Sequence, residues 1–594
     1  MLADETKPFV LLDDARPGGA AARLYRAPLR TIVAATPAEL PAALAALRAA
    51  RAEGLHAAGY LGYEAGAALQ PRAPVLAGDG PVLWFGLFEQ FEEIAHDAVP
   101  ALLPDPAGAW AGVPCPAIDR EAYDARLRQV QALISAGDIY QANLTYQATV
   151  AMLGDPLALY ARLRAASNAG HGAIVATGAR TFLSLSPELF FALDGDRLTC
   201  RPMKGTAPRG ATPEEDRALA KELASDDKQR AENLMIVDLM RNDLSRVAVA
   251  GSVAVPALFA VETYPTVLQM TSTVTATLAP DREAVDVIEA LFPCGSITGA
   301  PKSRAMAVIA EVEGVPRGLY TGSIGRIDAT GDAMFNVAIR TLAIEGGAAT
   351  LGLGSGIVAD SRAAEEWAEC AAKGLFVTAG QRRFDLIETM AFDPEAGLPR
   401  LERHLARMKA SADLFGFSFD RHGARNELQA ATFRLRTPRR IRLVLAASGA
   451  LAIEVAPLPE ARTGPMTVRI VPRPVGPRDF RLRHKTSDRA FHDAARQTAG
   501  ADEVIFEDDQ GYLSEGSFTS LFVERDGVLV TPPLSRGLLP GVLRAELIDT
   551  GQAVEGELTA ADLAHGFLIG NALRGLMPAI VAPVLVATAK KSEL

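Results

Sequence analysis

Cysteine is scarce. Cys115, Cys200, Cys294 and Cys370 stand far apart with no CxxC pair, which argues against a disulfide framework or a zinc site. No uninterrupted apolar run reaches the ~18 residues of a membrane span. The opening MLADETKPFV carries acids and a proline where a secretion signal would be apolar. Basic residues never gather into a block: 60 Lys and Arg against 71 Asp and Glu leave a net charge of −11, which argues against non-specific nucleic-acid binding. No fixed-period repeat is visible, and the alanine richness is compositional. What is there is 594 residues, 49% hydrophobic and 22% charged, the balance of a folded chain. At ~150 residues per domain that length suggests about four units. The expectation is a cytoplasmic, multidomain, soluble protein that binds neither nucleic acid nor membrane.

Residues 1–115 alternate short apolar runs with Ala-rich helical segments. FVLL leads into a polar turn at Asp13–Arg16, and AAGYLGYEAGAAL (57–69) reads as a strand entering a helix. PDPAGAWAGVPCPAID (104–119) reads as a boundary or long loop. Asp119 is set to cap a helix whose Tyr123, Leu127, Val130 and Ile134 form one apolar stripe, and Gly137 stops it. Strands such as FNVAIRTLAI (335–344) then alternate with helices. Near FVTAGQRRF (376–384) the pattern restarts with LIETM and a basic amphipathic helix, RLERHLARMKASADLF (400–415), so a domain break is expected there. β-Rich stretches follow: IRLVLAAS, MTVRIVPRP and EVIFEDDQGYLSEGSFTSLFV.

Chemistry concentrates between 184 and 370. SLSPELFF (184–191) sets Glu188 after a proline, and RPMKGTAPRG (201–210) sets Lys204 beside a Gly-Thr turn. KQRAENLMIVDLMRNDLSRV (228–247) reads as a helix carrying Glu232. GSGIVADSRAAEEWAEC (354–370) reads as a glycine turn feeding a helix, with Glu366 and Glu369 one turn apart on one face. Hard oxygen ligands on two helices suit Mg²⁺, which takes a few carboxylates and keeps waters and the substrate's own anionic oxygens. Taken singly, each glutamate reads as a solvated helix residue. GSITGAPK (295–302) offers backbone N–H groups with the hydroxyls of Ser296 and Thr298, a cradle for a carboxylate. It reads equally well as a turn opening the helix of Ser303–Val312, and it does not fit the GxxxxGK[ST] phosphate loop.

These segments, with GDIYQANLT (137–145), FPCGSITGAPKSRAM (292–306), YTGSIG (320–325) and NVAIRT (336–341), resemble the chorismate-utilising enzymes in order and spacing. The resemblance is dense over 119–375 and looser over 1–115. It implies a sandwich of antiparallel sheets with outer helices, chorismate as substrate, and Mg²⁺. Where isochorismate and salicylate synthases carry a water-activating lysine, this chain has Gln141. Where anthranilate synthases carry a small residue, it has Lys204, as the aminodeoxychorismate synthases do. In that subgroup the lysine adds at C2 of chorismate as the C4 hydroxyl leaves, and ammonia then attacks C4 and expels it. The same resemblance makes Glu188 the acid/base for the hydroxyl. It makes Glu232 and Glu369 ligands of Mg²⁺, with Glu366 reaching the ion directly or through water. Thr206, Ser296, Thr298, Tyr320, Arg340, Gly354, Ser355 and Gly356 fall at substrate-binding positions, Arg340 being a natural fork for a carboxylate. Two departures stand out. Many relatives have a histidine after the segment matching YPTV (264–267), where this chain has Leu268 and then Gln269; and FVLLDDARPGG departs from the LLES-like motif of relatives under tryptophan feedback.

In the last third, Arg407 in RHLARM, Lys485 in RHKTSDR, Glu515 in LSEGSFTSLF, LLPGVLR (538–544) and NALRG (571–575) form an ordered set. Alone, such a lysine is a solvated charge and such a glutamate a turn residue. Together they resemble the fold-type IV pyridoxal-phosphate enzymes, among them the aminotransferases and the aminodeoxychorismate lyases. That resemblance implies Lys485 as the cofactor-bonding and proton-shuttling lysine, with Glu515 on the pyridine nitrogen. Arg407, Gly541, Val542 and Asn571 would hold the phosphate, and Arg574 a substrate carboxylate.

The fold class expected is therefore α/β and α+β: a chorismate-utilising sandwich over 1–378 and a fold-type IV domain over 384–594. The implied function is 4-aminobenzoate synthesis from chorismate and ammonia through aminodeoxychorismate, with pyruvate as co-product. No cysteine lies in a glutamine-amidotransferase context, so ammonia would come from solution or a separate glutaminase subunit. Homodimerisation through the C-terminal domain is the family analogy. Two other readings stay open: the second domain as an aminotransferase for another amino acid, or as a non-catalytic assembly module.

Overall fold

The computed structural model describes residues 7–70, 74, 76, 78, 80–264, 267–460 and 463–582. Pro265 and Thr266 of the YPTV segment lie outside the described residues. The chain divides into two compact units, the first holding Met1–Pro106, Ala111–Met152 and Pro156–Gln381. The second holds Ala107–Trp110, Leu153–Asp155 and everything from Arg382.

Two ten-stranded sheets build the first unit. One runs, in neighbour order, through Gly299–Ala300, Gln141–Val150, Ala348–Ile357, Thr341–Glu345, Thr181–Ser186, His171–Ala176, Phe9–Asp13, Ala22–Arg26 and Glu92–Ile94, with Cys115–Pro116 pairing on Gln141–Val150 as the tenth. The other runs through Met203–Pro208, Val267–Thr277, Arg197–Arg201, Leu189–Asp194, Ala333–Asn336, Ser323–Ile327, His56–Leu61, Leu83–Phe88 and Arg30–Ala34, with Ala254–Thr263 pairing on Val267–Thr277 off the main path. Between them lies a core of alternate residues from both, including Val10, Tyr25, Val175 and Phe182 from the first and Tyr60, Trp84, Phe88 and Ile324 from the second. The outer face of the second sheet is covered by Leu40–Ala52, Asp227–Leu244 and Ala284–Leu291, whose apolar stripes share one large core with Phe85, Phe191 and Phe335. This is the sandwich with outer helices that the motifs implied.

Local rules hold where a short signal acts alone. The helix after the connector spans Arg120–Ser135, and the Asp119 carboxylate accepts from Ala122 N at 2.8 Å. Tyr123, Leu127 and Val130 are its buried stripe, and Gly137 takes the left-handed turn beyond it at φ +79°.

The second unit joins a three-stranded antiparallel sheet to an eight-stranded mixed one. The small sheet is Leu386–Phe392, Arg439–Leu445 and Leu451–Pro457, and one face packs on Leu401–Phe415 and Arg421–Thr432. In the large sheet Met466–Pro472 runs parallel to both Glu503–Glu507 and Gly575–Val581. A pairing of Leu513–Gly516 with Ser520–Arg525 closes part of it into a ring.

Candidate active sites

In the first unit the chain crosses between the sheets twice at adjoining points. Thr181–Ser186 and Leu189–Asp194 belong to different sheets, which leaves Pro187 and Glu188 on the seam. Ala333–Asn336 and Thr341–Glu345 divide in the same way, so FNVAIRTLAI is two strands rather than one, broken at Val337–Arg340. The crossings are tied together: Val337 N donates to Glu188 O at 3.1 Å, Leu185 N to Arg340 O at 3.0 Å, and Ser186 Oγ to Val337 O at 2.6 Å. Arg340 holds φ +50°, a left-handed conformation that a non-glycine residue keeps only where its surroundings impose it. Burial pulls its guanidinium pKa down, with Tyr264 opposing.

Glu188 is 3% exposed. Burial pushes its carboxyl up to about 7, against a Ser296 hydrogen bond, the Met203 backbone and the Lys204 charge. Its Oε1 is buried without a partner. Lys204 lies on the Met203–Pro208 strand, at a register shift where Gly205 takes φ +102°. Such a bulge re-aims a side chain. Here it turns Lys204 Nζ to 3.6 Å from Glu232 Oε2 and into the space that a side chain on Gly356 would fill. Gln141, fully buried with both amide atoms unpartnered, borders the same space. An amine and an unpaired amide thus face one spot, and the Glu188 carboxyl, poised to hold or give a proton near neutral pH, is close enough to feel the charge of Lys204.

The glycine-rich stretch is a strand, not a turn. Ala348–Ile357 continues through Gly352, Gly354 and Gly356, which share one face because side chains alternate. A Cβ there would collide with Tyr320, Thr145 and Lys204 respectively. The glycines let those groups approach the sheet, and Ser355, on the opposite face, is buried with Oγ 3.4 Å from the Tyr123 hydroxyl. Ser296 lies 3.2 Å from Cys294 Sγ, while the buried Thr298 hydroxyl donates to Cys294 O and Gly295 O within its own turn. Thr206 is exposed, its hydroxyl 3.1 Å from Gln269 Oε1.

The Mg²⁺ set is not assembled as expected. Among the described residues no three His, Cys, Asp or Glu side chains converge to hold an ion. Ammonium groups stand among the three glutamates. Lys204 faces Glu232, and Lys373 pairs with Glu369 at 2.6 Å. Lys228 pairs with Asp360 at 3.0 Å and is held in its charged form by that bond, with Glu232 and Glu366 adding to it. Burial opposes ionisation of Glu369, yet Lys373, Lys204 and Lys228 outweigh it and hold the carboxyl low. The donors are of the right chemistry for Mg²⁺, but the arrangement does not fit an ion as it stands.

In the second unit Lys485 follows the turn Phe480–Leu482 and runs alongside Leu386–Phe392, its carbonyl accepting from Ile387 N at 2.9 Å. Burial pushes its ammonium down to about 7, helped by Arg407, Arg489 and Arg442 and opposed by Glu388. Arg407 is fixed by a two-pronged bond to Glu388, Nε to Oε1 at 2.8 Å and Nη2 to Oε2 at 2.7 Å, and its Nη1 donates to Pro540 O at 2.9 Å. That anchors it beside Gly541 and Val542, at the start of the helix Val542–Asp549. A Cβ on Gly541 would sit 2.7 Å from Ser520 Oγ, so only glycine leaves this approach open. Glu515 is 6% exposed, and burial pushes it up to about 8 against the Leu539 N–H and the Arg489 charge. Asn571 Oδ1 accepts from Leu573 N and Arg574 N, while the exposed Arg574 lies near the Phe518 ring. An amine largely able to shed its proton near neutral pH, an arginine beside helix N–H groups, and a buried carboxyl fit pyridoxal phosphate.

The chorismate binding enzyme family model matches residues 7–379, well over half of the chain. The chain belongs to the chorismate binding enzymes. The amino-transferase class IV model matches residues 385–580 and implies pyridoxal phosphate there, so this is an enzyme with two catalytic portions. Aminodeoxychorismate synthase component 1 of Klebsiella aerogenes is 46% identical over 252 residues, 42% of this chain and 56% of that protein. Aminodeoxychorismate synthase of Streptomyces griseus is 46% identical over 256 residues, 43% of this chain and 35% of that protein. The chain thus spans about a third to a little over half the length of these relatives. The menaquinone-specific isochorismate synthase of Escherichia coli superposes with a TM-score of 0.51 at 18% identity, covering 64% of this chain and 90% of that one, and shares the fold.

Sequence reasoning missed several groups of this chorismate binding enzyme. Glu388 and His404, 2.6 Å apart, steady Arg407 from beneath; a lone acid inside the apolar LIETM and the His404–Arg407 spacing on one helix face were the available signals. Arg489, whose Nη2 donates to Ser517 O, acts on both Lys485 and Glu515. Gln269, noted only as a departure, donates to Gly205 O at 2.7 Å and so steadies the bulge that aims Lys204.

Proposed function

We propose that the first portion converts chorismate and ammonia into 4-amino-4-deoxychorismate, and that the second removes pyruvate from it to leave 4-aminobenzoate. Lys204 is the nucleophile and Glu188 the acid. Lys204 gives up a proton, Glu232 being the acceptor within 3.6 Å, and its nitrogen adds at C2 while the C4–O bond breaks. Glu188 protonates the departing hydroxyl, which leaves as water; a carboxyl displaced to about 7 can donate near neutral pH and be reprotonated. Ammonia then attacks C4, the C2–N bond to Lys204 breaks, and the amine is regenerated. Arg340 is assigned to a substrate carboxylate, and the glycine face beside Lys204 lets the ring lie close to the sheet. The observation that carries this reading is the meeting of Lys204, Glu232 and the vacant side-chain position of Gly356.

In the second portion, pyridoxal phosphate supplies an electron sink when bound. Lys485 would bond it and move the proton at C4 of the substrate, Arg407 and the N–H groups at Gly541–Val542 would hold its phosphate, and Glu515 would partner its ring nitrogen. Aromatisation of the product ring favours elimination. Because the first portion would make what the second consumes, the lyase reading is preferred over an aminotransferase for another amino acid. The component 1 in the relatives' names implies a second component; as a separate glutaminase subunit it would supply ammonia, and ammonium in solution would replace it. Product analysis with chorismate, ammonium and Mg²⁺, with and without pyridoxal phosphate, is the test. The expected result is 4-aminobenzoate and pyruvate with the cofactor and aminodeoxychorismate without it. Anthranilate would overturn the role of Lys204, and aminodeoxychorismate alone in both samples would overturn the lyase.

A further inference from the structure

The strand Met203–Pro208 leaves its ladder at the residue that carries the amine. Met203 pairs with Thr271 and Thr206 with Gln269, so Lys204 and Gly205 together stand against Met270 alone. A bulge takes backbone groups out of the ladder, and those groups then need partners from elsewhere. Two side-chain amides provide them: Asn233 Nδ2 donates to Lys204 O at 3.1 Å, and Gln269 Nε2 to Gly205 O at 2.7 Å. Gln269 belongs to the adjoining strand, but Asn233 stands on the helix Asp227–Leu244, directly after Glu232. Asn233 is fully buried and its amide has one workable orientation. Lys204 O can only accept, so the amide NH₂ faces it; Oδ1 is left to accept from Ser272 Oγ at 2.6 Å, and that oxygen accepts in turn from Phe259 N at 3.1 Å. Gln229, one turn earlier on the same helix face, closes on Gly205, where a Cβ would lie 3.1 Å from its Oε1. The helix is thus drawn onto the bulge. The Lys204 and Glu232 side chains meet at 3.6 Å, too far for a hydrogen bond, so that pair does not itself hold strand and helix together.

We infer that Asn233 is a positioning residue for the first reaction: it fixes the backbone of Lys204 against the helix of Glu232, so that the amine and its proton acceptor keep their spacing while the amine attacks. The inference rests on the reading that Lys204 is the nucleophile. In the step concerned the Lys204 N–C2 bond forms and the C4–O bond breaks; Glu232 takes a proton from the nitrogen, and the hydroxyl leaves as water with a proton from Glu188. Asn233 has no part in those bond changes and acts through Lys204 alone.

The test is single-turnover mixing of the full-length chain with chorismate and Mg²⁺ in the absence of ammonium, which halts the reaction at the Lys204 adduct. Intact-mass spectrometry of quenched samples counts that adduct as a gain of chorismate less water. Asn233→Ala should slow adduct formation at saturating chorismate about thirtyfold, while the chorismate concentration giving half the maximal rate moves less than about twofold. Ser272→Ala keeps the amide and its bond to Lys204 but removes the hydroxyl that orients it, and should slow the same step about threefold. An unchanged rate in either variant, or a slower rate in Asn233→Ala matched by an equal weakening of half-saturation, would overturn the positioning role. Absence of any adduct in the unsubstituted chain would overturn the reading of Lys204, and the inference with it.

Discussion

Lys204 and Lys485 are the same amine put to use in two different surroundings. Lys485 is sunk among Arg407, Arg489 and Arg442, and burial with those cations brings it to about 7. A substantial fraction of it is neutral near pH 7 without a dedicated base. Lys204 sits at a strand bulge beside a carboxylate, 3.6 Å from Glu232, and in the proposed mechanism that neighbour takes its proton. A lysine can thus be armed by what is withheld, water and counter-charge, or by what is supplied, an acceptor. The first mode suits a residue that must wait for a carbonyl group. The second suits one that fires only once substrate is in place.

The sharpest way to break this comparison is to remove each amine in turn. Lys204→Ala should cut aminodeoxychorismate formation by about a thousandfold or more while chorismate still binds. Lys485→Ala should leave that step intact and let aminodeoxychorismate accumulate; separation of intermediate and product by chromatography reads both. Next in size, Glu188→Gln should slow the first reaction on the order of a hundredfold. In the unsubstituted chain the rate should fall as pH rises through about 7, since the donating form of Glu188 is then lost, and the pH profile of the variant should lack that limb. Capture of pyridoxal phosphate should speed up about tenfold per pH unit below about 7 and level off above it, because only the neutral amine of Lys485 reacts. Stopped-flow absorbance would show this, and Arg442→Gln should move the plateau to higher pH. A smaller effect is expected from Lys373→Ala: by freeing Glu369 it should lower the Mg²⁺ needed for half-maximal synthase rate about threefold, as a titration would reveal. Smallest is Asp119→Ala, which removes the cap bond to Ala122 N and should cost the first unit about 1 kcal/mol in denaturant unfolding.

Legibility followed the range of the interaction. The helix after Asp119 was readable because cap, stripe and stop lie within a few turns. The sandwich came through motif order; of the charges acting on Lys485, Arg407 came the same way, while Glu388, Arg489 and Arg442 did not. The seam did not: FNVAIRTLAI is apolar throughout, and nothing local says that Phe335 and Leu342 belong to different sheets. The glycines at 352, 354 and 356 looked like a turn because glycine is the usual turn residue; their alternation, which marks a strand face, was the overlooked signal. The ion set was read from carboxylates alone, and Lys228 and Lys373 show that a donor list without its cations is half an electrostatic account.

The seam itself bears on how the first portion keeps its geometry. Glu188 and Arg340 belong to neither ladder, yet hydrogen bonds linking Glu188, Ser186, Val337, Leu185 and Arg340 rivet their crossings to each other. The acid and the arginine are thereby carried on a joint between the sheets, held by bonds of the crossings to each other and not by the ladder of either sheet.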